Sequence, residues 1–309
     1  MLPNRDGYGH GLVELGAANP DVVVLDADLA KSTRSDWFAN KYPDRFFDIG
    51  ISEQDMIGTA AGLSLAGKIP FATTYGVFVA GRAWDQIRTT VCYSGLNVKI
   101  AGAHGGISVG PDGATHQALE DIALMRVLPN MTVVVPCDAV EAKKATIAAA
   151  GMHGPCFLRF AREATAVFTE EGDFFEIGKA NVLKDGRDVT IIACGPIVYE
   201  ALLAQEQLAA KGVSARVINL HTVKPLDEAA LLAAAKETGA IVTAEEHQIA
   251  GGLGSAVAEF LVQNKPVPIE MVGIQDTFGE SGAPEELAVK YGLVAKDIVD
   301  AVEKVLKRK

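Results

Sequence analysis

The sequence predicts an α/β protein with two doubly wound domains, each built on a mostly parallel sheet. Short β-branched runs alternate with longer Ala- and Leu-rich stretches from end to end, which is typical of sheets covered by helices on both faces. The alternation stops once, across residues 163–188, which are acidic and poorly periodic. The length of 309 residues also suits two domains of about 150 residues each.

The first half contains six strand patterns, each a short apolar run. We predict these strands at residues 21–28, 45–49, 69–75, 97–103, 131–136 and 155–161. Apolar residues at helical spacing predict the helices between them, near residues 7–18, 52–66, 77–94, 116–127 and 138–150. Continuous apolar runs are typical of strands buried on both faces, so we expect one parallel sheet here.

A second series of the same kind follows the interruption. Its strands are predicted at residues 189–195, 214–220, 240–246 and 268–274. Its helices are predicted near residues 197–211, 227–238, 253–263, 284–291 and 295–307. The interruption is interpreted as a linker with at most one hairpin, and we place the boundary near residue 175. The predicted domains are therefore residues 1–174 and 175–309.

Charge and composition exclude several classes of protein. The net charge of −11 and the lack of a basic cluster beyond residues 307–309 argue against nucleic-acid binding. No run of 18 apolar residues and no apolar leader is present, so we expect no membrane contact and a cytoplasmic protein. The four cysteines lack metal-ligand spacing, and no metal site is predicted. A small anionic substrate remains compatible with a few well-placed arginines and histidines.

Three polar stretches follow predicted strands of the first half, at residues 25–34, 50–56 and 102–117. Ligands gather at the carboxyl ends of strands in open α/β sheets, so we expect the chemistry there. Glu53 opens a helix directly after a strand. The sequence Ser52 to Asp55 fits a capping box, which explains a first-turn carboxylate without catalysis. Its position at the tip of a βα unit favours a ligand contact.

The stretch 102–117 contains five glycines together with His104, Asp112 and His116. Its glycines match neither the dinucleotide fingerprint nor the phosphate-binding loop of ATPases. Neutral histidines both donate to and accept from hydroxyl and carbonyl oxygens, which suits a polyhydroxylated substrate. A metal site is a weaker interpretation, because the spacing of the three side chains matches no standard ligand pattern.

Other polar and aromatic side chains have simpler explanations or less specific roles. Arg159 and Arg162 end a strand, where an arginine makes a natural clamp for an anion. Tyr75, Phe78 and Trp84 line a strand-to-helix turn and are expected in the core more often than against a cofactor ring. Four further polar residues follow strands of the second half and are expected to be solvent-exposed there, namely Glu245, Glu246, His247 and His221.

Longer motifs resemble the transketolase family. The segments SEQDMIGTAAGLSLAGKIPFATTY, GPDGATHQALEDIALMRVLPNMTVVVPCD and LRFARE look like its pyrimidine-binding domain. The segments VINLHTVKPLD, EEHQIAGGLGSAVAE and DTFGESGAPEELAVKYGL are similar to the transketolase C-terminal domain. These motifs stand in the family's order over almost the whole chain. The resemblance therefore implies a thiamine-diphosphate pyrimidine-binding domain followed by a C-terminal domain, and ketol transfer between sugar phosphates.

The resemblance implies a role for each matched cofactor residue. Glu53 matches the glutamate that activates thiamine diphosphate through a hydrogen bond to a ring nitrogen of the aminopyrimidine. Asp28 matches an aspartate near the thiazolium ring, while Tyr75 and Phe78 match aromatic residues that pack on the pyrimidine. At Gly81 the chain departs from the family, because many relatives carry a third aromatic residue there.

The resemblance also implies the residues that bind the substrate. His104, Asp112 and His116 match polar groups of the family's substrate channel, and the two histidines are implied to be catalytic together with Glu53. The remaining matches are to the residues that bind the substrate phosphate, namely Arg5, Ser32 and Arg162. Two arginines around a phosphate would form charge-assisted hydrogen bonds.

A partner is implied as well, because the resemblance covers only the C-terminal half of a full-length transketolase. In that family the N-terminal domain holds Mg²⁺ and the cofactor diphosphate with a GlyAspGly motif and a later Asn, and this sequence contains no GlyAspGly. We therefore expect a separate N-terminal subunit that carries this motif and the Mg²⁺, self-association of this chain, and sugar-phosphate substrates. A heterotetramer of the pentose phosphate pathway is the implied assembly.

Three alternatives remain open at this point. The 1-deoxy-xylulose-phosphate synthases share similar motifs, but they typically carry Asp at the position of His104. The beta subunit of 2-oxo-acid dehydrogenases has the same two-domain plan, but the phosphate-facing set Arg5, Ser32 and Arg162 is not expected there. A structural or regulatory subunit with a vestigial site is the non-enzyme alternative. The joint presence of Glu53 with the channel residues argues against it.

Overall fold

The computed structural model describes all 309 residues and confirms the predicted fold class. The strands in chain order are β1 (Leu2–Pro3), β2 (Val22–Asp26), β3 (Phe46–Asp48), β4 (Ile69–Tyr75), β5 (Lys99–Ala103), β6 (Thr132–Val134), β7 (Cys156–Arg159), β8 (Ala164–Thr165), β9 (Asn181–Lys184), β10 (Val189–Ala193), β11 (Ala215–Asn219), β12 (Thr222–Lys224), β13 (Ile241–Gln248) and β14 (Ile269–Ile274).

The α-helices lie between these strands. They are α1 (Asn4–Ala18), α2 (Ala30–Thr33), α3 (Asp36–Lys41), α4 (Glu53–Leu65), α5 (Gly76–Arg82), α6 (Trp84–Gln86), α7 (Asp121–Arg126), α8 (Ala139–Gly151), α9 (Val198–Ala210), α10 (Glu228–Thr238), α11 (Leu253–Asn264), α12 (Pro284–Lys290) and α13 (Ala295–Leu306). None of them combines the length and the apolarity that crossing a bilayer requires.

The first sheet has seven strands in the order β12-β6-β7-β5-β4-β2-β3, and all pairs are parallel except β12 with β6. Successive strand side chains point to opposite faces. In β2, Val22 and Val24 pack with the core under α1 and α8, whereas Val23 and Leu25 pack with the core under α4 and α5. The continuous apolar pattern of β2 thus reflects burial on both faces.

The second sheet has five strands in the order β14-β13-β10-β11-β9. Its pairs are parallel except β11 with β9. Ile191 packs with the core that contains α9 and α13, and Ile192 packs with the core that contains α10 and α11. Both halves of the chain are therefore doubly wound α/β units.

The linker contains no hairpin, because its strands pair outside it. Its first strand, β8, pairs with β1 at the other end of the first half, and β9 pairs with β11 of the second sheet. Between them the buried Asp138 accepts the N–H groups of Phe168 and Thr169 at 2.9 and 2.8 Å. These long-range bonds replace the local pairing that a hairpin requires.

Three local features also differ from the sequence prediction. β12 lies in the second half of the chain yet completes the sheet of the first half. The helix predicted at 77–94 is divided into α5, α6 and a π-helical turn at Ile87–Cys92. The helix predicted at 116–127 begins only at Asp121, because Gly113 adopts a positive φ of 75° and its carbonyl accepts the N–H groups of His116 and Gln117 in a turn.

Candidate active site

The three polar stretches meet at one edge of the seven-stranded sheet. Residues 25–34 follow β2, residues 50–56 follow β3, and residues 102–117 follow β5. These strands belong to the parallel run β5-β4-β2-β3. Their carboxyl ends therefore lie side by side, which is where open α/β sheets hold ligands.

Two aromatic rings and two histidines form a cluster at this edge. Tyr75, the last residue of β4, stacks on His104 with ring centroids 4.0 Å apart, and on Phe78 at 5.7 Å. His116 meets the edge of Phe78 at 5.4 Å. Tyr75 is therefore not simply a core residue, because its ring joins the strand end to both histidines.

His104 is held as a neutral imidazole. It is 1% exposed, and its pKa is lowered to about 3, first by burial and then by the positive charges of Arg5 and Arg162. Its backbone has a positive φ of 60°, and its Nδ1 atom is buried without a hydrogen-bond partner. A buried polar atom without a partner is costly, so this nitrogen is a natural contact for a ligand atom.

Positive charges surround the histidines in this otherwise acidic protein. Nη1 of Arg5 donates to the carbonyl of Ser32 at 2.8 Å, so the structure brings these two predicted residues together. Nη1 of Arg162 lies 3.2 Å from Oδ1 of Asp112, which joins two more of them. The pKa of Arg5 is lowered by burial and by the charge of Arg34. Mutual repulsion among these arginines favours an anion between them.

Arg34 was missed in the sequence, although it ends the polar stretch after β2. The loop that carries it is anchored by Asp26, a buried carboxylate at the end of that strand. Asp26 accepts hydrogen bonds from the N–H of Leu29 at 2.6 Å and from the hydroxyls of Thr33 and Ser35 at 2.9 and 2.8 Å. Burial raises the pKa of Asp26 to about 6.

Glu53 begins α4 and is 3% exposed. The capping box predicted there is wrong, because the Ser52 hydroxyl donates instead to the carbonyl of Ile49 at 3.0 Å. The partner of Glu53 is Arg82, whose Nη1 lies 3.2 Å from both carboxylate oxygens. The guanidinium carbon of Arg82 also lies 4.2 Å from the centroid of Phe78. The i,i+4 spacing of Phe78 and Arg82 on α5 was the available signal for this contact.

Asp28 lies at the same edge but outside the cluster. It is exposed, has a φ of 61°, and donates its N–H to Oδ1 of Asp48 at 3.1 Å. Its carboxylate makes no hydrogen bond or ion pair in the structure. The side chain is therefore free to contact a ligand above the sheet edge.

Arg159 does not serve as an anion clamp, which corrects the sequence interpretation. Its side chain is 3% exposed, and Nε donates to Oδ2 of Asp121 at 2.8 Å. Nη2 donates to the carbonyls of Ala118 at 3.0 Å and of Glu246 at 2.9 Å. Because these bonds engage its guanidinium inside the protein, Arg159 connects the two halves of the chain and is unavailable to a ligand.

The polar residues at the strand ends of the second half are buried, so the expectation of solvated positions was wrong for Glu245, Glu246, His247 and His221. Glu245 accepts the N–H groups of Leu253 and Gly254 at the start of α11. Burial raises its pKa to about 8. Glu245 thus caps the start of α11, whereas His247 reaches the first half, where its Nε2 accepts the N–H of Ala123 at 3.3 Å.

Glu246 has a direct bearing on the site, because it holds the glycine-rich loop. Its Oε1 accepts the N–H of Ser108 at 2.6 Å. A Cβ on Gly106 would stand 2.3 Å from that oxygen, and one on Gly113 would stand 2.5 Å from Oγ of Ser281. Both glycines also have positive φ, which explains why this loop lacks side chains where the second half touches it.

No group of three or more His, Cys, Asp or Glu side chains is close enough to hold a metal ion. The groups that could hold an organic cofactor are different in kind. They are a buried carboxylate at Glu53, the flat rings of Tyr75 and Phe78, and the unpartnered Nδ1 of His104. This combination suits a heteroaromatic ring with a hydrogen-bonding edge.

Comparison with known proteins gives two family matches that together cover most of the chain. Residues 1–167 match the model of the transketolase pyrimidine-binding domain, and residues 178–298 match the model of the transketolase C-terminal domain. The chain is 45% identical to a 6-deoxy-6-sulfo-D-fructose transketolase subunit of Clostridium sp. (strain MSTE9), covering 99% of this chain and 95% of that protein. It is 46% identical to a putative transketolase C-terminal section of Methanocaldococcus jannaschii, covering 98% and 96%.

Among solved structures, the chain is similar to a split gene transketolase described as an inactive β4 tetramer. The two are 51% identical and superpose with a TM-score of 0.94 over 99% of each chain.

We predict that the chain loses more stability on acidification than its His104→Gln variant. An unfolded histidine titrates near pH 6.5, whereas the folded pKa of His104 is about 3. Below about pH 6.5 the unfolded chain therefore binds a proton that the folded chain does not, and stability falls with pH. Between pH 7.5 and 5.5 the wild type should lose about 1.4 kcal/mol more than the variant. Urea denaturation at both pH values measures this, and equal losses would contradict the prediction.

Proposed function

The chain belongs to the transketolase family, and on that premise we propose that it is the C-terminal subunit of a split transketolase. Together with an N-terminal subunit, it transfers ketol units between sugar phosphates with thiamine diphosphate. The observation that carries this proposal is the convergence of Glu53, Tyr75, Phe78 and His104 at one sheet edge. A buried acceptor beside stacked rings provides both contacts that an aminopyrimidine needs.

The residues present fit the cofactor's pyrimidine. When bound, thiamine diphosphate supplies the nucleophilic carbon that carries the two-carbon unit. Glu53 would accept a hydrogen bond from a ring nitrogen of the pyrimidine and hold a proton there, because it is 3% exposed and has little access to water. Tyr75 and Phe78, which stack on each other, would pack against the ring, and the exposed Asp28 would lie near the thiazolium. The role of this chain is to position these groups.

The histidines act on the sugar. His104 is neutral and His116 lies beside the same two rings, so each can donate to one hydroxyl or carbonyl oxygen and accept from another. His116 also shares a hydrogen bond of 2.9 Å between its Nδ1 and the hydroxyl of Thr115. This bond engages Nδ1 and leaves the opposite nitrogen, Nε2, available to a substrate oxygen. The two histidines therefore move protons at the substrate oxygens.

The arginines bind the anionic end of the sugar. Arg5 and Arg162 both lie close enough to His104 for their positive charges to lower its pKa. The carbonyl of Ser32 accepts a hydrogen bond from Arg5 and holds its guanidinium in place. Asp112 pairs with Arg162 and presents its second oxygen to a sugar hydroxyl. A tetrahedral phosphate receives charge-assisted hydrogen bonds from both guanidinium groups. The Clostridium relative is named for a sulfonated sugar, which supports an anionic group at this position.

The partner completes the cofactor site. The Clostridium relative is named a subunit and the M. jannaschii relative a C-terminal section, and this chain covers nearly their full lengths. The related tetramer that consists of β chains is described as inactive, which supports a requirement for a second kind of subunit. Large apolar side chains are also exposed at both ends of α4, where Ile51 and Leu65 are each 76% exposed. We assign Mg²⁺ and the diphosphate to the partner, in an α2β2 assembly.

We predict that Glu53→Gln reduces ketol transfer by at least about 100-fold, because an amide oxygen can accept a hydrogen bond but cannot take up or electrostatically stabilise the proton at the pyrimidine nitrogen as a carboxylate does. The stability of the chain should change by about 1 kcal/mol at most, since a glutamine still accepts from the half-exposed Arg82. Exchange of the thiazolium proton with deuterated water, measured on the assembled enzyme, reports the step directly. Asp55→Asn, an exposed change in the same helical turn, is the matched control. Unchanged exchange in Glu53→Gln would remove this residue from the mechanism.

We predict that Arg162→Ala raises KM for phosphorylated sugars more than for the same sugars without phosphate. A lost Arg–phosphate pair costs roughly 1.5–3 kcal/mol, and only a substrate with the phosphate loses it. Steady-state kinetics on both substrate types gives the comparison, and Arg162→Lys should fall between the wild type and Arg162→Ala. Equal losses for both substrate types would show that Arg162 supports the fold through its bond to Asp112 instead.

The assembly provides the decisive experiment. The purified chain should fold and self-associate, but it should show no transketolase activity and negligible affinity for thiamine diphosphate. Adding the GlyAspGly-bearing partner should restore both, and the cofactor should stabilise the complex by mass action. Titration of the partner at fixed cofactor and Mg²⁺, assayed with xylulose 5-phosphate and ribose 5-phosphate, should saturate at an equimolar ratio. Full activity of this chain alone would refute the split-enzyme proposal.

A further inference from the structure

Arg82 contacts both groups on which the proposed pyrimidine site depends, the carboxylate of Glu53 and the ring of Phe78. Its Nη1 donates to both oxygens of Glu53 at 3.2 Å, and its guanidinium carbon lies 4.2 Å from the centroid of Phe78. Arg82 lies at the end of α5, and its side chain is 51% exposed. One flexible side chain thus covers the carboxylate and one face of the aromatic ring at the same time.

A guanidinium group and an aminopyrimidine ring share the relevant chemistry. Both are planar, both present N–H donors at one edge, and both stack on aromatic faces. An aromatic face accommodates one stacked partner, and Nη1 of Arg82 already holds both oxygens of Glu53. Arg82 and a pyrimidine bound to the same carboxylate and the same face of Phe78 therefore exclude each other.

We propose that Arg82 is a placeholder for the aminopyrimidine: it holds Glu53 and covers Phe78 until the cofactor binds and displaces it. The inference rests on the proposed function, because it takes Glu53 and Phe78 as the pyrimidine contacts. It adds a competition within the chain, in which the cofactor must displace Arg82 before it reaches Glu53. The apparent affinity for thiamine diphosphate is then reduced by the fraction of sites that Arg82 occupies.

The local structure permits this displacement. About half of the Arg82 side chain is already in contact with solvent, so it has open space into which it can move. The backbone of Arg82 is held separately, because its carbonyl accepts Nε2 of Gln54 at 3.0 Å. The side chain can therefore rotate into solvent while α4 and α5 keep their relative positions.

The placeholder also explains how an almost fully buried carboxylate is tolerated before the cofactor binds. Glu53 is 3% exposed and accepts hydrogen bonds from no group other than Arg82. A buried charge without a partner is strongly unfavourable. Arg82 supplies that partner until the pyrimidine replaces it, so Glu53 keeps its position before assembly.

The first test is the affinity of the assembled pair for thiamine diphosphate, measured by titration calorimetry with Mg²⁺ present. Arg82→Ala removes the competitor, and we expect the dissociation constant to fall about five- to tenfold, as the loss of one partly exposed ion pair with stacking allows. Arg187→Ala removes a charge from an exposed position in the second half and should leave the constant unchanged. An Arg82→Ala pair that binds the cofactor equally or more weakly would overturn the inference.

A second measurement uses the subunit without cofactor. The thermal midpoint of the Arg82→Ala chain alone should lie below that of the wild type, because Glu53 loses its partner. The increase in midpoint on adding thiamine diphosphate to the assembled pair should in turn be larger for the variant. Equal midpoints of the two chains without cofactor would contradict the role of Arg82 in stabilising Glu53.

If Arg82→Ala does not fold, Arg82→Lys decides the question. A lysine keeps the charge but cannot lie flat on Phe78, so the cofactor should bind about threefold more tightly than in the wild type. Unchanged or weaker binding by this variant overturns the inference. A wild-type pair that binds no thiamine diphosphate would instead overturn the proposed function, and the inference with it.

Discussion

A buried arginine at the end of β7 holds the site edge and the second half of the chain together. Arg159 bonds to Asp121 at the start of α7, to the carbonyl of Ala118 in the loop after β5, and to the carbonyl of Glu246 in β13. Breaking a buried pair of this kind costs about 3–5 kcal/mol, because the remaining charge has no water to replace its partner. A Cβ on Gly105 would stand 2.7 Å from Nε of Arg159, so the loop passes directly over it. The positions of His104 and His116 therefore depend on this contact.

The second half contacts the glycine-rich loop of the site but supplies none of the predicted site residues. Glu246 holds the loop at Ser108, and Ser281 lies against Gly113. The Arg159–Asp121 pair closes the same interface from the first half. These bonds fix the loop from β5 to α7 at both of its ends, so a long glycine-rich segment presents two histidines in defined positions. This is a structural role for the C-terminal domain that does not require its own ligand.

The local charge of the site opposes the charge of the whole protein. A chain of net charge −11 places Arg5, Arg34 and Arg162 near one another and keeps His104 neutral beside them. Burial and repulsion by the arginines both lower the pKa of His104, so its imidazole is neutral at pH values where the arginines are still charged. Such a site attracts a small anion while the surrounding acidic surface repels polyanions. This separation is consistent with a sugar phosphate as substrate.

Local sequence patterns were sufficient to predict the architecture and the composition of the site edge. Apolar runs predicted most strands and helical spacing predicted most helices, because burial of a strand on both faces leaves an uninterrupted apolar run. The polar stretches after β2, β3 and β5 predicted where the site residues gather, because the carboxyl ends of parallel strands share one sheet edge. The resemblance to transketolases supplied the roles of Glu53 and of the channel residues, and those roles remain proposals.

Only the tertiary structure decided which partner each of these groups has. Arg159 and Arg162 are equally plausible clamps in sequence, but Arg159 is fully enclosed in its pair with Asp121, whereas Arg162 stays 28% exposed in its pair with Asp112. The pairing of Glu53 with Arg82, which lies 29 residues away, replaced the expected capping box, and β12 crossed to the first sheet. Such contacts join residues that are distant in the chain, and their free energy depends on burial and geometry that no local pattern records.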